Sequence, residues 1–184
     1  MVKYKQMFTG GKDMLGIIKN RRSIRKFKEN KLPKENIVEI LKAGLLAPTS
    51  KNKKPVEFIV VENKETLNKL LKCKDKGSVG LETAPCAIVV ACDSEKSDVW
   101  VEDASIAASY MQLQIEKLGL GSVWIQMRKR FNDNGDAEKE VRSILNIPDN
   151  YGIVCILATG YNDENMKAYD DNDIDISKVH YEKF

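Results

Sequence analysis

The sequence predicts one domain in which helices cover a mixed β-sheet. Its 184 residues can form a full hydrophobic core, because single domains usually contain roughly 100–200 residues. The hydrophobic fraction of 42% and the charged fraction of 31% are ordinary for a folded protein. Helical patterns and apolar runs of strand length alternate in the order α-α-β-α-β-α-β-α-β, and a polar, acidic tail follows them.

The first half of the chain contains three predicted helices and one predicted strand. A short helix spans residues 13–20, with an aspartate at its start as the N-cap, and an extended basic segment spans residues 21–27. A second helix spans 33–46 and opens on a proline, which is favoured in a first helical turn. The β-branched run 56–61 predicts a strand, and the leucine spacing in 64–73 predicts a helix with one apolar face.

In the second half, predicted strands flank one dominant helix. The continuous apolar runs 85–92 and 151–159 predict strands that are buried on both faces. A helix over 98–118 is about 31 Å long at ~1.5 Å per residue, and apolar side chains lie nearly all round it. Such a helix is buried on more than one side, which points to a subunit interface. A short strand is predicted at 122–126, and a further helix at 136–145.

Composition and charge exclude several classes of protein. The net charge of +3 is too balanced for a chain that coats nucleic acid. Because the longest strongly apolar run, 84–92, is far shorter than the ~20 residues of a membrane span, no membrane association is expected. Residues 1–15 lack the apolar stretch of a secretory signal. The four cysteines are widely spaced without a C-x-x-C motif, which favours buried thiols in the cytoplasm and no metal site.

The usual glycine motifs for phosphate binding are missing from the sequence. Neither G-x-G-x-x-G nor a Walker A motif occurs. The pair Gly119 and Gly121 follows a helix, whereas a dinucleotide fingerprint follows a strand. This pair is typical of a helix C-cap and a tight turn.

The segment from Arg21 to Arg25 has the densest set of functional side chains. Three guanidinium groups and one hydroxyl group within five residues suit a phosphate, because guanidinium donors are bidentate and permanently charged. The alternative is that Arg21 and Arg22, just past the end of the first helix, stabilise that end through the helix dipole.

Two further segments combine small polar residues with turns. The loop 47–55 (APTSKNKKP) exposes hydroxyl and backbone N–H groups that suit a polyhydroxyl or heterocyclic ligand, although an ordinary turn explains it as well. The segment 119–126 leads two glycines into a strand that carries Trp124, and a core position explains that tryptophan equally well.

Taken in order, these segments resemble the FMN-dependent nitroreductase family. The motifs are R-R-S-x-R-x-F at 21–27, A-P-[ST]-x-x-N-x-x-P at 47–55 and G-L-G-S-x-W-I at 119–125. An apolar helix carrying Asp103 lies between the last two motifs. An I-P pair and a strand ending in G-Y complete the set, and the resemblance covers residues 15–161.

The resemblance implies an α+β fold in which helices flank a mixed or antiparallel sheet. It also implies an intertwined homodimer with one FMN at each of two sites across the interface. Residues 1–184 would form one FMN-binding domain, and the tail 161–184 would wrap the partner subunit. Because the flavin supplies the chemistry, no catalytic side chain and no metal ion are expected.

The resemblance also implies three groups of cofactor-binding residues. The phosphate, the ribityl chain and the pyrimidine edge would contact Arg21, Arg22, Ser23 and Arg25. The other subunit would contribute Pro48, Thr49, Ser50 and Asn52. The strand beside the flavin would contribute Trp124, Ile125 and Gln126, with the backbone of the last two near the flavin N5.

The activity expected from the resemblance is a two-electron, ping-pong reduction of small acceptors such as nitroaromatics and quinones, with NADH or NADPH as donor. Reductive dehalogenation or reduction of an activated alkene on the same scaffold is one alternative, and a non-catalytic flavin- or anion-binding module is another. A nucleic-acid binder that uses Lys51, Lys53 and Lys54 is disfavoured by the charge balance and by the lack of interleaved aromatic residues.

Overall fold

The computed structural model describes residues 13–184. Its strands are β1 (Val56–Val61), β2 (Cys86–Asp93), β3 (Gly121–Gln126), β4 (Phe131–Asn132), β5 (Gly135–Asp136) and β6 (Tyr151–Gly160). Four of them form a sheet in the order β1-β2-β6-β3, in which every neighbouring pair is antiparallel. Among the described residues, parallel pairing is confined to a bridge between Ser23 and Ser122. The sheet is therefore antiparallel and not mixed.

The helices are α1 (Met14–Asn20), α2 (Lys34–Leu45), α3 (Lys64–Leu71), α4 (Gly80–Thr83), α5 (Trp100–Lys117) and α6 (Ala137–Leu145). All predicted helices and strands within residues 13–184 are present, with ends shifted by one or two residues. The predicted N-cap is also present, because the Asp13 side chain accepts a hydrogen bond from the Gly16 backbone N–H. The sequence did not reveal α4 or the β4–β5 hairpin, since elements this short have no measurable period.

The two central strands, β2 and β6, are buried along almost their whole length, as their continuous apolar runs predicted. One face of the sheet packs against α3 and α6, and the other packs against α2 and α5. Helix α5 buries Ala104, Ala108 and Met111 against the sheet. Ile106 and Tyr110 on the same helix stay 38% and 44% exposed, so one apolar side of α5 is uncovered in the single chain.

The chain after β6 turns back along its own basic segment. The backbone N–H of Lys28 donates to the Tyr161 carbonyl at 2.9 Å, and that of Tyr169 donates to the Lys19 carbonyl at 2.9 Å. Residues 171–184 are exposed. Within 13–184, no helix has the length and apolar character needed to cross a membrane.

Candidate functional site

Two glycines dock the basic segment against the sheet. The Ile24 backbone N–H donates to the Ser122 carbonyl at 2.9 Å, so the segment runs beside the outer edge of β3. A Cβ at Gly121 would stand 2.9 Å from the Ile24 side chain, and a Cβ at Gly160 would stand 3.1 Å from that of Phe27. Because real Cβ contacts essentially never fall below 3.0 Å, Gly121 is needed for the approach of Ile24, and a Cβ at Gly160 would require Phe27 to shift.

The docked segment leaves cationic donors free. Successive side chains of an extended segment point to opposite sides, so Arg21, Ser23 and Arg25 share the side opposite the buried Ile24. Among residues 13–184, the Arg21 guanidinium has neither a hydrogen bond nor an ion pair. The Arg25 guanidinium donates only to the Ser23 carbonyl, at 3.3 Å. This side of the segment therefore offers unpaired positive charge.

The tail covers the remaining arginine of the segment. The Arg22 guanidinium lies 4.3 Å above the Tyr169 ring and donates to the Lys167 carbonyl. Lys167 is thereby held beside the basic segment. The Glu164 carboxylate accepts a 2.6 Å hydrogen bond from the Arg25 backbone N–H. The tail thus closes one side of the segment and places the Glu164 carboxylate on its backbone, while the Lys167 ammonium pairs with Asp170 at 3.2 Å.

Strand β3 has an open edge next to the basic segment. Its Ser122 carbonyl points away from β6 to Ile24, and its Gln126 carbonyl points away from β6 to the Lys74 ammonium, 3.1 Å distant. In an antiparallel ladder, a residue whose carbonyl points outward also points its N–H outward, and alternate residues behave alike. The N–H groups of Trp124 and Gln126 therefore face the open edge.

The side chains of β3 alternate between the two faces of the sheet. Ile125 is 1% exposed and packs in the core against α3 and α6, and its N–H and carbonyl face β6, where it pairs with Ile156. The Trp124 indole packs partly on the other core and donates to the Gln126 side-chain carbonyl at 2.8 Å. The Gln126 amide in turn donates to the Arg128 carbonyl at 3.0 Å. Trp124 is thus both a core residue and a support for Gln126.

A buried carboxylate fixes the loop 47–55. Asp103, which is 3% exposed in the first turns of α5, accepts hydrogen bonds of 2.8 Å from the Ser50 backbone N–H and from the Ser97 hydroxyl. These two hydrogen bonds stabilise the buried carboxylate, although no cationic side chain is paired with it among residues 13–184. The motif in the sequence included Asp103, but no sequence pattern indicated this contact.

The same loop has a strained backbone. Lys51, Asn52 and Lys54 have φ angles of +52°, +53° and +48°, a region that non-glycine residues seldom adopt. The Thr49 hydroxyl accepts a hydrogen bond from the Lys54 backbone N–H at 3.0 Å and closes the turn. Strain of this kind costs on the order of 1–2 kcal/mol per residue and persists where the surroundings impose it, often at ligand sites.

Within one chain, the loop and the basic segment lie at different levels of α5. The loop is bound at Asp103, whereas the start of β3 lies against Gln112, whose side-chain nitrogen is 3.5 Å from the Ser122 hydroxyl. Nine residues of helix separate these two levels by about 13 Å. The fold therefore joins the basic segment directly to β3, whereas the loop is held nearer the start of α5.

The comparisons with known proteins agree with this architecture. A family model described as the nitroreductase family matches residues 18–74 and 72–161. The chain belongs to the nitroreductase family. It is therefore an oxidoreductase enzyme with the expected α+β fold, and the resemblance seen in its motifs is confirmed.

Individual members of the family are similar over nearly the whole chain. An FMN-dependent nitroreductase from Clostridium difficile R20291 has a TM-score of 0.90 and 53% identity, covering 92% of this chain and 99% of that one. A protein of Methanothermobacter thermautotrophicus, named NADH dehydrogenase/NAD(P)H nitroreductase, is 35% identical over 94% of this chain and 88% of its own. The iodotyrosine deiodinase of Thermotoga neapolitana is 25% identical over 89% of this nitroreductase-family chain and 96% of its own.

Proposed function

We propose that this protein is an FMN-dependent NAD(P)H oxidoreductase that reduces small acceptors, such as nitroaromatics and quinones, by two electrons in ping-pong order. The observation that carries the proposal is a row of available donors beside the outer edge of β3. It consists of the guanidinium groups of Arg21 and Arg25 on the docked segment and the outward N–H groups of Trp124 and Gln126. The names of the similar proteins, which include FMN and NAD(P)H, support the same cofactors.

The donors in this row fit the parts of FMN in order. Arg21, Ser23 and Arg25 present charge and a hydroxyl group on one side of the docked segment, and charged donors of this kind hold a terminal phosphate. The Gln126 N–H, at the far end of the edge, suits the flavin N5. Trp124 would contribute its outward N–H, and Ile125 would lie between Trp124 and Gln126 as their support in the core. Arg22 would act through the tail, since Tyr169 and Lys167 already occupy its guanidinium.

The residues of the chain have positioning roles in this proposal. Bound FMN would accept two electrons from NAD(P)H and pass them to an acceptor that enters after the donor has left. The Gln126 N–H would orient the flavin, and the arginines would anchor its charged end. This division explains why no acid–base side chain of the enzyme has to be assigned a catalytic role.

The site is completed in this proposal by a second copy of the chain. The loop residues Pro48, Thr49, Ser50 and Asn52 would reach the flavin from the partner, as the family resemblance implies, since within one chain the loop and the start of β3 contact α5 at levels about 13 Å apart. An uncovered apolar side of α5, with Ile106 and Tyr110, offers the surface for a two-fold dimer. Residues 1–184 would then form one domain, with the exposed tail end wrapping the partner. The buried free thiols fit a cytoplasmic location.

The test is a spectrum followed by kinetics. We expect the purified protein to be yellow, to release FMN and not FAD on denaturation, and to oxidise NAD(P)H when a quinone is added. Initial rates at several concentrations of both substrates should give parallel double-reciprocal lines. Intersecting lines would contradict a shared site for donor and acceptor. A flavin-loaded protein without turnover would instead be the non-catalytic binding module.

A second candidate function is reductive dehalogenation on the same scaffold. The similarity to the deiodinase of Thermotoga neapolitana favours it over the reduction of activated alkenes. Iodotyrosine and a nitroaromatic should be compared as acceptors for the reduced enzyme under anaerobic conditions. Release of iodide at a higher kcat/KM than nitro reduction would favour the deiodinase activity.

A further inference from the structure

Lys74 is a buried lysine at the end of strand β3. It follows helix α3, only 9% of its surface is exposed, and its Nζ donates a 3.1 Å hydrogen bond to the Gln126 carbonyl. Lysine is almost never this buried unless a partner compensates its charge. No sequence pattern indicated this burial, because Lys74 lies in the run 72–76 (KCKDK), which is typical of a solvated surface.

The charge of Lys74 is uncompensated within the described chain. No carboxylate among residues 13–184 forms an ion pair with it, and the Gln126 carbonyl uses one of the three N–H donors of its ammonium. Burial and the nearby charge of Arg130 both lower the pKa of Lys74. A buried cation with one neutral acceptor and a second cation as neighbour is a place where an anion would be stabilised.

The geometry around Gln126 shows which anion this would be. The Gln126 carbonyl, to which Lys74 is bound, and the Gln126 N–H both point to the open edge of β3. That edge is where the proposed function places the flavin. A flat ring whose edge lies along β3 and accepts the Gln126 N–H would come close to the ammonium on the neighbouring Gln126 carbonyl.

We propose that Lys74 tunes the flavin, with its positive charge favouring the reduced, more negatively charged form of bound FMN over the oxidised form. This inference rests on the proposed function. Lys74 acts through its charge and through its hydrogen bond to the Gln126 carbonyl. It transfers neither electrons nor protons to a substrate. A positive charge close to the ring is the electrostatic means by which a protein raises the potential of a flavin.

The test is the midpoint potential of FMN bound to the intact protein, measured by anaerobic titration against a dye of known potential. Lys74→Met removes the charge and the hydrogen bond, Lys74→Gln removes the charge but keeps a donor, and Lys74→Arg keeps the charge. Lys72→Met is the matched control, because Lys72 is an exposed lysine of the same run. The affinity for oxidised FMN is measured on the same samples.

We expect the ratio of affinities for reduced and oxidised FMN to fall at least tenfold in Lys74→Met and Lys74→Gln. A tenfold fall lowers the potential of a two-electron couple by about 30 mV. Lys74→Arg and Lys72→Met should keep the wild-type potential. Unchanged potentials in yellow, folded Lys74→Met or Lys74→Gln protein would overturn the inference and leave Lys74 as a tether. A rise in the KM for NADPH with no change in potential would overturn it as well.

Failure of the proposed function would look different from failure of this inference. A wild-type protein that neither contains nor takes up FMN would overturn both. A wild-type protein that binds FMN, together with variants of equal potential, would overturn only the role of Lys74. Should Lys74→Met fail to fold, Lys74→Gln and Lys74→Arg still separate the effect of charge from that of the hydrogen bond.

Discussion

The buried carboxylate of Asp103 and the backbone N–H of Ser50 are joined by a 2.8 Å hydrogen bond that ties a strained loop to the dominant helix. The second oxygen of Asp103 accepts the Ser97 hydroxyl, also at 2.8 Å. The loop carries several of the proposed flavin contacts. The position of those contacts therefore depends on a carboxylate that itself lies outside the cofactor site.

Asp103→Ala should lower both stability and FMN affinity, whereas Asp103→Asn should be much milder. Asparagine keeps an acceptor for Ser50 and a donor for Ser97, but alanine leaves both groups unpaired in the interior. Each lost hydrogen bond to the charged group costs about 1.5–3 kcal/mol. Urea unfolding and a flavin titration measure the two effects. Ser94→Ala, which removes a hydroxyl bound to the Asn150 carbonyl at 2.7 Å, is the control that should leave FMN affinity intact.

Gly121→Ala should weaken FMN binding by displacing the basic segment. The new Cβ would stand 2.9 Å from the Ile24 side chain, so the segment has to move away from β3. We expect at least a tenfold rise in the Kd for FMN, measured by fluorescence titration of the apoprotein. Gly44→Ala crowds Phe58 at 2.6 Å and serves as the control for a general packing defect. Equal losses of affinity in the two variants would show that the docking of the segment is not specific.

Arg21→Gln should weaken FMN binding more than Lys139→Gln, although each substitution removes one positive charge. Only Arg21 lies in the proposed phosphate segment, and Lys139 lies on α6. A charge-assisted hydrogen bond contributes about 1.5–3 kcal/mol, which corresponds to a factor of ten or more in Kd. Equal Kd values for the two variants would mean that overall charge, not a site, holds the phosphate.

A mixed dimer should recover activity from two inactive parents. If one subunit supplies Arg21 and the other supplies Asn52, a dimer of Arg21→Glu and Asn52→Asp chains has one site with both lesions and one wild-type site. Random assembly makes about half of the dimers mixed, so about a quarter of the wild-type NAD(P)H oxidation should return. If mixed dimers are shown to form and remain inactive, each flavin lies within a single chain.

Stability should fall at alkaline pH because the cysteines are buried. Burial raises the pKa of Cys73, Cys86 and Cys92 to about 12, and that of Cys155 well above its ordinary value. Thiols of the unfolded chain titrate near ~8.5, so their protonated native form is favoured below that pH. As the pH rises from about 8.5 toward 12, each thiol should cost about 1.4 kcal/mol of stability per pH unit. Urea unfolding at several pH values should show a shallower loss in Cys86→Ala, and an unchanged slope would contradict this assignment.

Local signals in the sequence were enough to predict most of the fold. Some signals depend only on neighbouring residues in the sequence, so they could be recognised without knowledge of tertiary contacts. Examples are the N-cap Asp13, the apolar run of β2 and the leucine spacing of α3. The strand arrangement was different. Antiparallel and mixed sheets can follow from the same order of elements, and the antiparallel pairing of β6 with both β2 and β3 decided between them.

The site was predictable as a set of motifs but not as a geometry. The cluster at Arg21 was visible from its charge, yet the division between a free Arg21 and a covered Arg22 depends on Tyr169, which is distant in sequence. From the sequence, the two glycines of the third motif were interpreted only as a helix C-cap and a tight turn. The structure shows in addition that Gly121 is needed for the close approach of Ile24 to β3.

Residue types and short spacings were enough to predict the longer helices and strands, the family motifs and the cationic character of the site. Tertiary contacts were needed to show that Asp103 holds the loop, that β3 presents an open edge, and that Lys74 lies buried at the end of that edge. The reason is physical. A lysine or an aspartate has the same local pattern on a surface as in an interior, and only packing against distant segments removes its water and fixes its partner.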